Sequence, residues 1–169
     1  MRAFIILSLG LLAVAVGVAC GGDEAAPAAA ASQPTSQPAS RPATAEAIVA
    51  ALKAAGLPIT GVQVYTAESD PNALLGRPGQ YTGKANFTVD GIPEERRRTD
   101  RPFDIVNGGA VEVFSTVADL ESRKTYLDAF RSLAPEYTIP HGTVLLRLSY
   151  ALTPDQAATY EAALKALKL

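Results

Sequence analysis

AVEVFSTVADLESRKTYLDAFRSLAPEYTIPHGTVLLRLSY, residues 110–150, is the stretch on which the fold turns. Ala110–Phe114, preceded by Gly108-Gly109, reads as a short strand. Thr116 followed by Asp119 makes a capping-box-like start and predicts a long helix that Pro135 closes, with Leu120, Leu127, Phe130 and Leu133 as its core candidates. His141-Gly142 introduces a second strand, Thr143–Tyr150, where Val144, Leu146, Leu148 and Tyr150 alternate with Arg147 and Ser149. A strand–helix–strand unit of this kind predicts a parallel crossover.

Punctuation on either side extends the pattern. Downstream, Thr153-Pro154-Asp155-Gln156 combines a Thr cap, Pro at the first helical position and Gln three residues on. The helix it starts carries Ala157, Tyr160, Leu164 and Leu167 on its apolar stripe. Upstream, Gly108-Gly109 precedes the strand and Asp90–Pro102 reads as an exposed polar loop. Tyr81–Val89 alternates again, with Ala85, Phe87 and Val89 inward and Lys84, Asn86 and Thr88 outward. Arg77-Pro78-Gly79-Gln80 suits a type II turn, and Asp70-Pro71 with Gly76 predicts a short capped helix before it. Val62 and Val64 share a face of a further strand. Thr44 caps a first helix with Ile48, Leu52 and Ala55 on one stripe, and Gly56 ends it in the left-handed conformation. The order is helix, strand, strand, strand, helix, strand, helix. The expectation is therefore an α+β domain over 44–169, with a four-stranded mixed, mostly antiparallel sheet packed by about three helices.

The N-terminal part has a different character. After Arg2 no charge occurs until Asp23, and Ala3–Ala19 is continuously small or apolar, about 17 residues and at the edge of what spans a bilayer. A positive start, an apolar middle and a small-residue end are the marks of a secretory signal. The end, Gly17-Val18-Ala19-Cys20-Gly21, resembles a bacterial lipoprotein box, in which the Cys thiol is joined to diacylglycerol and the signal is cut before it. Gly17 departs from that pattern, since a larger aliphatic residue usually stands there. The reading is a signal peptide over 1–19 and lipidation at Cys20, against an uncleaved anchor or cleavage that leaves a free thiol. Residues 20–43 continue as a Pro/Ala/Ser-rich tether with no aliphatic side chain larger than Ala. Such a composition cannot offset the entropy of ordering its backbone. Fully extended as polyproline, the tether would reach about 70 Å.

Composition narrows the function classes. Of 169 residues 48% are apolar and 19% charged, with one Cys, one His and no Trp. A net charge of −2 argues against a general nucleic-acid binder. From Cys20 onward 14 Lys and Arg (15 less Arg2) stand against 17 Asp and Glu, so lipid rather than basic charge would hold the chain to a membrane. A single Cys forbids an internal disulfide, and its acylation would remove the only thiol; a single His forbids a multi-histidine metal site. Glu68, Asp70 and Asn72 alternate like the opening of a calcium loop, but Ala73 and Gly79 stand where Gly and a bidentate Glu belong. No metal or cofactor is expected. Arg96, Arg97, Arg98 and Arg101 share their loop with Glu94, Glu95 and Asp100, which reads as a solvated loop more than an anion site. Polar and aromatic groups on a stiff loop are what a binding site uses, so Asn72, Arg77, Gln80, Tyr81 and Lys84, with His141, are the candidate binding residues.

Three stretches, GLPITGVQVYTAESDPNALLGRPGQYTGKANF at 56–87, GGAVEVFSTVADLESRKTYL at 108–127 and HGTVLLRLSYALTPDQAATYEAAL at 141–164, resemble a group of uncharacterised bacterial lipoproteins. DPNALLGRPGQY and LTPDQ are the most specific parts of the likeness. The resemblance implies an exported, lipid-anchored single domain and brings no catalytic residue or ligand with it. Three functions compete. The first is a binding or interaction module held at a cell-envelope membrane, whose partner is an envelope protein or small ligand. The second is a structural or accessory component of an envelope complex. The third is a hydrolase using His141 as base, for which no G-x-S-x-G or S-x-x-K motif supplies a nucleophile. The expectation is no enzyme.

Overall fold

The computed structural model describes residues 43–169. The expected signal peptide, the expected lipidation at Cys20 and the expected tether up to residue 42 lie outside them. Helix α1 spans Ala45–Ala54 and begins as its cap predicts, with the Thr44 hydroxyl accepting from the Ala47 amide at 3.1 Å. It ends before Gly56, whose φ of 89° is the left-handed conformation that glycine adopts without steric cost. Strands β1 (Ile59–Val64), β2 (Gly83–Val89) and β3 (Gly108–Val113) follow, then α2 (Val117–Ala129), β4 (Glu136–His141), β5 (Val144–Ser149) and α3 (Pro154–Lys165). The α3 capping box is formed in full: Gln156 N–H donates to the Thr153 hydroxyl, and Thr153 N–H to the Gln156 amide oxygen.

The class is α+β with three helices, but the sheet differs from the expectation in two respects. It has five strands in the order β1-β2-β3-β5-β4, and every neighbouring pair is antiparallel. The additional strand is β4, whose sequence EYTIPH is flanked by Pro135 and interrupted by Pro140, so it reads as punctuation. Proline donates no ladder hydrogen bond and is tolerated on an edge strand, which is where β4 lies. The crossover through α2 therefore connects β3 to β4. A two-residue turn at Gly142-Thr143 then folds β5 back into the gap between them.

One face of the sheet carries the main core. Across it, Val64, Ala85, Val111, Leu146 and Ile139 form one row through all five strands. Ile48, Val49 and Leu52 from α1 and Ala157, Tyr160 and Leu164 from α3 pack on that face. Phe87 stacks on Tyr160 with ring centroids 6.1 Å apart. The Tyr160 hydroxyl has no hydrogen-bond partner among the described residues, and burial pushes it up to about 12. The two glycines that open β3 are there for close approach: a Cβ at Gly109 would lie 2.5 Å from the Arg147 carbonyl oxygen and 2.7 Å from the Phe87 ring.

Some expected core positions lie outside the core. Leu120 is buried and Leu127 half-buried, but Phe130 and Leu133 are exposed because α2 ends at Ala129 and the chain turns before the stripe continues. Tyr150 lies past the end of β5 and is exposed, as is Ala55 at the end of α1. The short helix expected at Asp70–Gly76 is absent. Ala73 has φ 51°, which breaks the helical run, and the segment folds as consecutive turns. The turn at 77–80 forms as predicted, with the Gln80 amide donating to the Arg77 carbonyl at 3.0 Å and Gly79 at φ 72°.

Candidate functional site

The second face of the sheet is where polar chemistry collects. Strand alternation sends Gln63, Lys84, Asn86, Glu112, Arg147, Ser149 and Glu136 to this side. One row runs Gln63, Asn86, Ala110, Arg147, Thr138 across the five strands, and the next places Lys84 opposite Glu112. On an open sheet these side chains would be solvated. Here α2 covers one half, and the segment 92–107 folds over the other, so Lys84, Asn86, Glu112, Arg147 and Ser149 are all buried. Between these two covers remains an open cleft of about 1080 Å³.

Its floor is a satisfied network of buried charge. Glu112 is fully buried and accepts from Arg123 Nε at 3.0 Å, Arg123 Nη2 at 3.1 Å and Arg147 Nη1 at 2.7 Å. Arg147 also grips Glu136 in a bidentate pair, Nε to Oε1 at 3.0 Å and Nη2 to Oε2 at 2.8 Å. Burial alone would raise the Glu112 carboxyl, but the charges of Arg147 and Arg123 outweigh it and hold Glu112 below the usual carboxylate range. Arg147 remains charged: burial opposes its charge, and Glu112 and Glu136 outweigh that.

A second buried pair stands beside it. Lys84 Nζ donates to Asp70 Oδ1 at 2.7 Å, and the Tyr81 hydroxyl donates to Asp70 Oδ2 at 2.6 Å. Asp70 further accepts the amides of Leu74, Leu75 and Asn72 at 2.9, 3.1 and 3.3 Å. The residue expected to cap a helix thus gathers the amides of a turn by the same attraction of a carboxylate for free N–H groups. Burial works against its charge, yet the Lys84, Tyr81 and Leu74 hydrogen bonds hold Asp70 well below the carboxylate range. Burial pulls the Lys84 ammonium down, with Asp70 opposing. Burial, followed by Asp70, drives the Tyr81 hydroxyl well above its ordinary value. The Tyr65 and Tyr81 rings lie 5.0 and 5.4 Å from Lys84 Nζ.

The wall opposite α2 is the arginine loop, held in place by one buried side chain. Asn107 accepts the Arg98 amide at 2.8 Å and donates to the carbonyls of Arg98, Pro102 and Arg101 at 2.8, 2.9 and 3.1 Å. The Ser149 hydroxyl donates to the Val106 carbonyl at 2.8 Å and ties the same segment to β5. The loop is therefore ordered, and Arg96, Arg97, Arg98 and Arg101 all line the cleft. Arg97 donates to the Ile92 and Val89 carbonyls at 3.0 and 3.3 Å, Arg98 pairs with Asp104 at 3.4 Å, and the Arg96 guanidinium lies 5.5 Å from the Tyr150 ring centre. On the floor, Asn86 Nδ2 donates to the Phe103 carbonyl at 2.7 Å, which fixes the amide orientation. Its Oδ1 is buried and has no partner among the described residues.

The six sequence-derived binding candidates do not form one surface. Asn72 and Lys84 line the cleft. Tyr81 is fully buried against Phe114 and supports Lys84 from below, so it offers no contact surface. Arg77 and Gln80 sit in their turn away from the cleft lining, and His141 Nε2 is 3.2 Å from the Leu167 carbonyl at the end of β4, likewise outside it. Sequence reasoning missed Arg123, Glu112 and Arg147 as site residues, and it read the arginine loop, which lines the cleft, as a solvated loop more than an anion site. The available signals were charged residues at regular strand positions and an Asn just before Gly108-Gly109.

Among the described residues, no helix is long and apolar enough to cross a membrane, and no three His, Cys, Asp or Glu side chains gather as a metal site would need. No protein-family model, curated protein or solved structure matches this chain.

Proposed function

We propose that this protein is a membrane-anchored lipoprotein of a bacterial cell envelope, of the uncharacterised group it resembles, and that its globular domain is a binding or interaction module. The anchor in this reading is the lipid on Cys20, and residues 21–43 are the spacer. One observation carries the module: an open cleft of about 1080 Å³ set over a floor of paired, buried charges. A network in which each charge is matched resists repacking, so it presents the side chains above it in fixed positions. His141 is held at the opposite side of the domain's chemistry, against the α3 end, so the cleft is read as a recognition surface and not as a hydrolase centre.

Photo-crosslinking in the producing cell tests this. A photoreactive residue at Tyr126, on the cleft rim, should give one dominant adduct, and the same residue at Lys53, on exposed α1, should not. Equal, diffuse adducts from both positions would refute the cleft as the contact surface. The anchor is tested separately: Cys20→Ser should abolish incorporation of labelled palmitate, and continued incorporation would refute lipidation at that residue.

A further inference from the structure

We infer that the cleft receives an acidic, extended peptide segment of a partner protein; this rests on the reading of the cleft as the contact surface. The first support is how charge is distributed. Residues 43–169 hold 13 Lys and Arg (15 less Arg2 and Arg41) against 15 Asp and Glu (17 less Asp23 and Glu24). Of these, seven cations but only three acids line the cleft. Including the buried Asp70 and Glu112 beneath them, and Asp100, which bridges Arg98 and Arg101, still leaves one positive charge in excess, on a domain that is acidic as a whole. Such a segregation draws an anionic partner and orients its approach.

The second support is which donors remain free. Arg123 holds Glu112 through Nε and Nη2, which leaves Nη1 available. Arg96 pairs with no acid among the described residues, and the Tyr150 ring supports its plane. Two guanidiniums so braced, one on each wall, suit carboxylates spaced along an extended chain. The third support is Asn86 on the cleft floor. It is 5% exposed, its Nδ2 is committed to Phe103, and its Oδ1 lacks a donor. A peptide amide supplies a donor of the kind that Oδ1 needs; a phosphate chain has none.

The rim decides between a macromolecular segment and a small molecule. Tyr126 is 56% and Leu133 81% exposed, and the Arg123 guanidinium lies 5.7 Å from the Tyr126 ring centre. Arginine with exposed aromatic anchors and few lysines is the composition of protein–protein contact centres, whereas small ligands are enclosed by mostly apolar walls.

The test uses the full-length lipidated protein in detergent micelles and a fluorescent peptide that alternates Glu with Leu and Tyr. Binding should be saturable, weaken steeply as salt rises and fall about tenfold or more in Arg96→Glu/Arg101→Glu, with Tyr126→Ala also weakening it. Lys53→Glu on α1 should leave it unchanged. All four side chains are exposed, so melting temperatures should stay constant. Polyphosphate binding as tightly as the peptide would overturn the peptide assignment in favour of plain charge attraction. Equal binding by the Lys-for-Glu peptide, or no binding by either, would overturn it also. The crosslink from Tyr126 reads the cleft independently: a partner captured there without acidic-peptide binding refutes only the chemistry inferred here.

Discussion

Replacing Glu112 by Gln removes one negative charge from between two guanidiniums at a fully buried position. The volume hardly changes, so no cavity term enters. What changes is that one carboxylate oxygen becomes an NH₂ group facing Arg N–H donors, and three hydrogen bonds to a charged acceptor lose that charge. Arg147 keeps Glu136, but Arg123 loses the only acid partner it has among the described residues. Breaking a buried pair by altering one member costs about 3–5 kcal/mol, because the other charge is left uncompensated in the interior. With a urea m-value of about 2 kcal/mol/M for a domain this size, the unfolding midpoint should fall by roughly 2 M. The assay is urea denaturation followed by circular dichroism, with m compared between variant and parent. A more solvated cluster provides the contrast: Asp128→Asn, at the half-exposed Lys124 and Arg131 bridges, should cost about 1 kcal/mol or less. A Glu112→Gln loss as small as that of Asp128→Asn would refute the reasoning, since it would mean water or rearrangement satisfies the arginines.

Two further predictions use the same preparation. The carboxyls of Asp70 and Glu112 are held below their ordinary range in the folded state. In the unfolded chain they titrate near 4, so between the folded and unfolded values the unfolded state binds more protons and stability rises with pH. The urea midpoint should therefore be level above about pH 5 and drop as pH falls below about 4; an acid limb equally steep in Glu112→Gln and the parent would contradict the assignment to Glu112. Gly109→Ala forces a methyl group against the Arg147 carbonyl and the Phe87 ring. It should destabilise by about 1–3 kcal/mol as overpacking does, measured as a lower melting temperature, and an unchanged one would show that β3 shifts without strain.

The local grammar of this chain was legible without a structure. Thr44, Thr116 and Thr153 each cap the helix their spacing predicts, and Gly56 and Gly79 each take the positive φ that their turns require. These signals work because caps and tight turns are decided by atoms within a few residues of one another. Where local signals conflict, the outcome depends on distant partners. EYTIPH follows Pro135 and contains Pro140, yet it becomes a strand because β5 offers it a ladder and the edge position excuses Pro140. Asp70-Pro71 carries helix-starting cues and becomes a turn because Lys84 and Tyr81, 14 and 11 residues away, claim the carboxylate.

The cleft belongs largely to that second category. Alternation along a strand states which side chains share a face, and on that count Lys84 and Asn86 in β2, and Arg147 and Ser149 in β5, were placed correctly on the side opposite Ala85, Phe87, Leu146 and Leu148. It does not state whether a face meets water. By itself the sequence determined an α+β domain, its helix caps, its main core face and, as an expectation for the residues before 43, its N-terminal address. The tertiary structure alone decided that the polar face is buried and charged. Burial of Glu112 becomes tolerable only when Arg123, 11 residues on, and Arg147, 35 residues on, converge on it. That convergence is a long-range electrostatic fact, written in no single window of the chain.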